Sequence, residues 1–76
     1  MDAKMGRYIL KECKKIKNFE SKVEKRQAFQ RLKKSVEKSD DYDKKYLIML
    51  IKEYEETHIS DHELASLLEK LNLISR

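Results

Sequence analysis

Two histidines, His58 and His62, stand four residues apart, a separation at which imidazoles on one helix share a metal ion. Ser60 falls between them and reads as a helix cap, which places the two rings on different elements. No third ligand accompanies them, and Cys13 is remote in sequence. Both histidines are expected to be exposed and metal-free. Asp40, Asp41 and Asp43 group three carboxylates, as a divalent-metal or acid/base site would. Their position between two helical stretches favours a plainer role, in which acidic side chains cap a helix and offset the positive end of its dipole. Cys13 lies on an apolar stripe and is expected to be a small buried hydrophobe. Ser39 and Ser60 have capping roles and no His–Asp partner arrangement. The single glycine, Gly6, rules out a glycine-rich phosphate loop. No catalytic constellation, metal site, cofactor or small-molecule substrate is expected, and the chain is read as a non-enzyme.

Two motif resemblances follow. The stretch His58-Ile59-Ser60-Asp61-His62-Glu63-Leu64 resembles the second half of an EF-hand in its central isoleucine, the glutamate four later and the leucine after it. The positions where that motif carries its first two acidic ligands and its turn glycine hold Lys52, Tyr54 and Thr57. These departures are expected to remove both the calcium ligands and the sharp bend. The region 41–72 also resembles a helix-turn-helix in spacing. Its second helix opens Asp61, His62, Glu63, which phosphate repels, and Tyr54 stands where that motif has a small residue.

The elements that must position these residues are helical. The chain has 76 residues, no proline and one glycine, and 42% of it is charged. Lys, Glu and Leu are good helix formers, and no stretch alternates as a strand does. Helix 1 is expected over 3–18, with Met5, Ile9, Cys13 and Ile16 on one face and Tyr8 and Phe19 beside them. Ser21 and Glu24 form a capping-box pattern, which starts helix 2 at Lys22; it runs to Lys38 with Phe29, Leu32 and Val36 inward and Ala28 at the edge. Ser39, Asp40 or Asp41 is expected to cap helix 3, over 41–56. Its face of Leu47, Leu50, Ile51 and Tyr54 is joined by a second of Tyr42, Tyr46 and Met49, with Ile48 alone. Ser60 and Glu63 form a second capping-box pattern, and Ile59 and Leu64 have the spacing of a hydrophobic staple. Helix 4 follows over 61–72, with Leu64, Leu67, Leu68 and Leu71 inward and Leu73 and Ile74 extending the apolar surface. The expected fold is all-α: one compact domain over 1–76, a bundle of three or four short helices.

The charge is polarised along the chain. Residues 1–38 hold thirteen Lys/Arg against five Asp/Glu, a net of +8; residues 39–76 hold five against nine, a net of −4. One reading is attraction between the two packed halves, through pairs each worth under about 1 kcal/mol. Another is a polyanion surface made of Lys4, Arg7, Lys11, Lys14 and Lys15 on helix 1 with Arg31, Lys34 and Lys38 on helix 2, directed at nucleic acid or, less well given a helix 1 stripe that lacks Trp and is needed for the core, at an anionic membrane surface. A third is docking of a protein partner or a second copy of the chain.

The leading expectation is a small, basic, regulatory protein that binds a protein partner or forms a homodimer, using Tyr42, Tyr46, Met49, Leu73 and Ile74. The alternative is nucleic-acid binding through the basic faces. The longest apolar run, Tyr46 to Ile51, is far below the roughly 20 residues that span a bilayer, so no integral membrane segment is expected. The polar start of the chain lacks the apolar stretch of a secretory signal. With one cysteine, a reducing, cytoplasmic location is expected.

Overall fold

A computed structural model describes residues 3–71; the expectations for Asn72, Leu73 and Ile74 lie outside them. Four helices follow in order: α1 (Ala3–Lys17), α2 (Lys22–Glu37), α3 (Lys44–Glu55) and α4 (Asp61–Lys70). There is no strand among the described residues. Short connections turn each helix back on the one before it. Helices α1 and α3 form the middle of the bundle, touching each other, with α2 on one side and α4 on the other; α2 and α4 are not neighbours. The radius of gyration, 11.5 Å, matches the roughly 11 Å of a well-packed chain of this length.

The apolar stripes account for the core. Ile9, Cys13 and Ile16 of α1, Ala28, Phe29, Leu32 and Val36 of α2, Leu47, Leu50, Ile51 and Tyr54 of α3, and Leu64 and Leu68 of α4 form one buried cluster. Leu67 and Leu71 are half-buried at its edge, as is Ile59, the outer half of the staple. The rings of Phe29 and Tyr54 pack edge to face, 6.3 Å between ring centres and inclined 67°. Of the second face assigned to α3 only Tyr46 packs against the core, while Met49 is 44% exposed and Tyr42 is fully exposed; Ile48, read as standing alone, also packs against the core.

The start of α3 differs from expectation. It begins at Lys44, three residues later than Asp41, and its N-cap is Asp43, whose side chain makes no capping bond. The cause is local competition, because short polar side chains also bond the backbone of turns. Asp41 Oδ1 accepts from the Asp43 N–H at 2.9 Å, and the Ser39 hydroxyl donates to the Val36 carbonyl at 2.6 Å. Both side chains shape the connecting loop, so neither caps the helix. Tyr42 consequently lies in this loop and not on a face of α3.

Candidate functional site

Three features stand out once the bundle is assembled: a polar hub at one end, an open cleft at the other, and a His–Glu trio beside the α3–α4 turn.

The hub is built where α1 ends, α3 ends and α4 begins. Ser60 has the extended backbone of an N-cap. Its hydroxyl accepts from the Glu63 N–H at 3.1 Å, and Glu63 Oε1 accepts from the Ser60 N–H at 3.3 Å, completing the capping box. At Ser21 only the hydroxyl half forms, from the Glu24 N–H at 3.3 Å. The Tyr54 hydroxyl donates to Asp61 Oδ1 at 2.5 Å. Lys17 Nζ reaches the same oxygen at 3.4 Å and sits 5.7 Å from the centre of the Tyr54 ring. The Tyr54 hydrogen bond, aided by Lys17, holds the Asp61 carboxyl below its ordinary 3.8, against the opposing effect of desolvation. Burial, then the bond to Asp61, raises Tyr54 above 10.0. Burial pushes the Cys13 thiol up to about 12, with Glu12 and Asp61 adding to it. The thiol is protonated at neutral pH and unreactive as a nucleophile.

Among the described residues, interhelical ion pairs join the basic half of the chain to the acidic half: Lys17 to Asp61, and Lys33 Nζ to Glu55 Oε1 at 2.9 Å, the latter with both side chains only about a fifth exposed. The sequence reading singled out none of these four residues for pairing. The signal was present, since Lys17 follows Cys13 by four and Lys33 follows Phe29 by four. Each cation therefore sits at the edge of an apolar stripe, within reach of the next helix.

The cleft lies between the start of α1 and the α2–α3 loop. It encloses about 700 Å³ and is lined by Lys4, Met5, Tyr8 and residues 39–43. The Tyr42 side chain is fully exposed on its lip, and Tyr8 is 42% exposed. Of the residues assigned to a protein interface, Tyr42 borders this cleft; Tyr46 is half-buried in the core and Met49 lies on α3. Of those assigned to a polyanion surface, Lys4 joins the acidic loop here. Lys15 and Arg31 line a smaller groove between α1 and α2, of about 230 Å³, with Glu12, Tyr8 and Phe19. Arg7, Lys11, Lys14, Lys34 and Lys38 are exposed on the outer sides of their helices.

The third feature corrects the reading of the histidines. Both are exposed, but His58 has company. Thr57 has φ 61, so the bend that a glycine would make is present without one. The His58 N–H donates to the Glu53 carbonyl at 2.9 Å and the Thr57 N–H to the Tyr54 carbonyl at 3.0 Å, the bond pair that closes a helix C-terminus through a left-handed residue. This turns His58 back over α3, with Nδ1 2.7 Å from Glu53 Oε2 and 3.8 Å from Glu56 Oε1. The calcium reading gains nothing from the bend: Tyr54 is engaged with Asp61 in the core and Lys52 is a cation.

No family model, curated protein sequence or solved structure matches the chain.

Proposed function

We propose that the protein is a small, non-catalytic binding protein whose cleft, between the start of α1 and the α2–α3 loop, takes a segment of a partner protein. The observation that carries this is Tyr42, a large aromatic side chain wholly in solvent at the lip of a cleft of about 700 Å³. Tyrosine is enriched among the residues that dominate binding energy, because it covers much area with few torsions to freeze. Met5 and Tyr8 supply an apolar floor. Asp40, Asp41 and Asp43 outnumber Lys4 on the rim, so the fitting occupant is an apolar segment flanked by basic side chains.

Nucleic-acid binding is the second reading, favoured by Lys15 and Arg31 meeting across one groove with Tyr8 and Phe19. Against it, part of the basic charge of α1 and α2 is paired within the molecule, Lys17 with Asp61 at the surface and Lys33 with Glu55 in a partly buried pair.

A photo-crosslinking amino acid placed at Tyr42, with a second version at the exposed Val23 as control, separates these readings in the native cell. A protein adduct at 42, absent at 23 and lost with Tyr8→Ala, is the expected result. An adduct of twice the chain's own mass identifies the partner as a second copy. No position-specific protein adduct, together with duplex binding that weakens steeply with salt and is lost when Lys15 and Arg31 are replaced by Gln, overturns the proposal in favour of nucleic acid.

A further inference from the structure

Away from the cleft, Glu53, Glu56 and His58 bring one carboxylate oxygen each and an imidazole nitrogen to within 4.8 Å of one another. Glu53 lies in the last turn of α3 and Glu56, three residues on, is its C-cap, so the two point to one side of the helix end. His58 is not on the helix at all. It reaches that side because Thr57 adopts a left-handed conformation, which a β-branched residue enters only at a cost. We infer that Glu53, Glu56 and His58 form a binding site for a divalent transition-metal ion of the zinc class.

The donor set selects the class. One imidazole nitrogen with two carboxylate oxygens suits zinc and its neighbours, whereas calcium requires six to eight oxygens. Metal–ligand bonds of about 2.0–2.1 Å in a tetrahedral site place neighbouring donor atoms about 3.3 Å apart. The observed separations of 2.7 and 3.8 Å between His58 Nδ1 and the two carboxylates bracket that value, and all three donor atoms lie within 4.8 Å of one another, so side-chain rotations of these surface groups can complete the geometry. The electrostatics agree. Two carboxylates stand at the negative end of the α3 dipole, where a cation is favoured, and a dication neutralises both. On binding, Nδ1 presents its lone pair to the metal; a proton carried there moves to Nε2 or is released to solvent. Three protein ligands leave a further position for water.

The test is calorimetric titration of the full chain with zinc chloride, repeated with cobalt(II) chloride, whose visible absorption reports coordination. The expected result is one ion per chain. Affinity should fall by at least about tenfold, since even loss of residues supporting a ligand costs about 10–100-fold, in His58→Ala and in the Glu53→Gln/Glu56→Gln double variant. His62→Ala should bind as the wild type does. Circular dichroism of each variant checks that the helices persist. Absence of binding to the wild type at millimolar zinc overturns the inference. So does binding that survives His58→Ala, or that is lost in His62→Ala.

Discussion

At the end of the bundle where α3 turns into α4, polar side chains tie separate helices together: Lys17 of α1 and Tyr54 of α3 both bond Asp61 of α4. At the opposite end, where α1 starts and α2 passes into α3, the bonds are local in sequence: Ser39 and Asp41 bond backbone two or three residues away, and Lys44 Nζ donates to the Glu37 carbonyl at 3.3 Å. The first end has a full capping box and a closed helix C-terminus; the second has a helix start without a side-chain cap, an open cleft and a solvated tyrosine. Bonds between helices distant in sequence resist their separation, whereas bonds between near neighbours shape a connecting segment without anchoring it to the rest of the bundle. Segments of that second kind open most easily and are the ones that binding surfaces draw upon. The interhelical polar bonds and the cleft proposed for binding therefore lie at opposite ends of the molecule.

The sharpest way to break this contrast is to remove one apolar group from each end. Leu64 is fully buried beside the hub, so Leu64→Ala should cost about 2–4 kcal/mol, from lost burial and the cavity left behind. Tyr42→Ala should stay within about 0.5 kcal/mol of the wild type, as exposed substitutions do. Urea denaturation measures both, and equal losses would abolish the distinction.

The caps sharpen it further. Ser60→Ala should cost about 1 kcal/mol. Ser21→Ala, which loses half a capping box, should cost less, and Asp43→Ala, which loses no side-chain cap bond, should be the smallest of the three. Reversal of that order in thermal unfolding would mean that the α2–α3 loop bears more load than its bonds indicate.

The hub also has a signature in pH. The Asp61 carboxyl is lowered in the folded state, so its stabilisation is complete above its ordinary 3.8 and is lost as pH falls through the lowered folded value. Tyr54 is raised, so its stabilisation is complete below 10.0 and is lost as pH rises from there toward the folded value. Tyr54→Phe should cost about 1 kcal/mol near neutrality, the net value of a typical hydrogen bond. It should lose the part of the alkaline limb that Tyr54 carries, leaving the part due to the buried Cys13 thiol, which begins above 9.0, and should lose part of the acid limb. An unchanged pH profile would show that the Tyr54–Asp61 bond contributes nothing to folding.

One substitution at the α3–α4 turn has an effect of the opposite sign. Thr57 occupies a left-handed position that glycine enters without steric cost. Thr57→Gly should stabilise the protein by about 0.5–1 kcal/mol, the gain being limited by the greater freedom of glycine in the unfolded chain. A loss of stability in calorimetric melting would mean that the Thr57 hydroxyl, which donates to the Glu56 carbonyl at 2.6 Å, outweighs the backbone cost.

Much of the architecture was legible in the residues alone, because helix formation and capping are local. Periodic stripes identified Ile9, Cys13, Phe29, Leu32, Val36, Leu50 and Leu64 as core, and Ser21 and Ser60 marked the starts of α2 and α4 within a single turn of chain. The start of α3 was misread because Ser39 and Asp41 each have two local uses, as cap or as turn former, and residue type does not distinguish them. The candidate sites were less legible. Lys17 and Asp61 are 44 residues apart, and nothing short of the packed bundle assigns one to the other. His58 joins Glu53 and Glu56 only because Thr57 turns left-handed, a conformation that sequence disfavours for a β-branched residue and that only the packing of α4 back onto α1 and α3 selects. The sequence by itself determined which segments are helical, where two of them begin and which faces turn inward, since these depend on bonds and contacts within a few residues. The tertiary structure alone decided which charges meet, where the cleft opens and how much of Tyr42 faces water, because each depends on chain segments brought together by the burial of those faces.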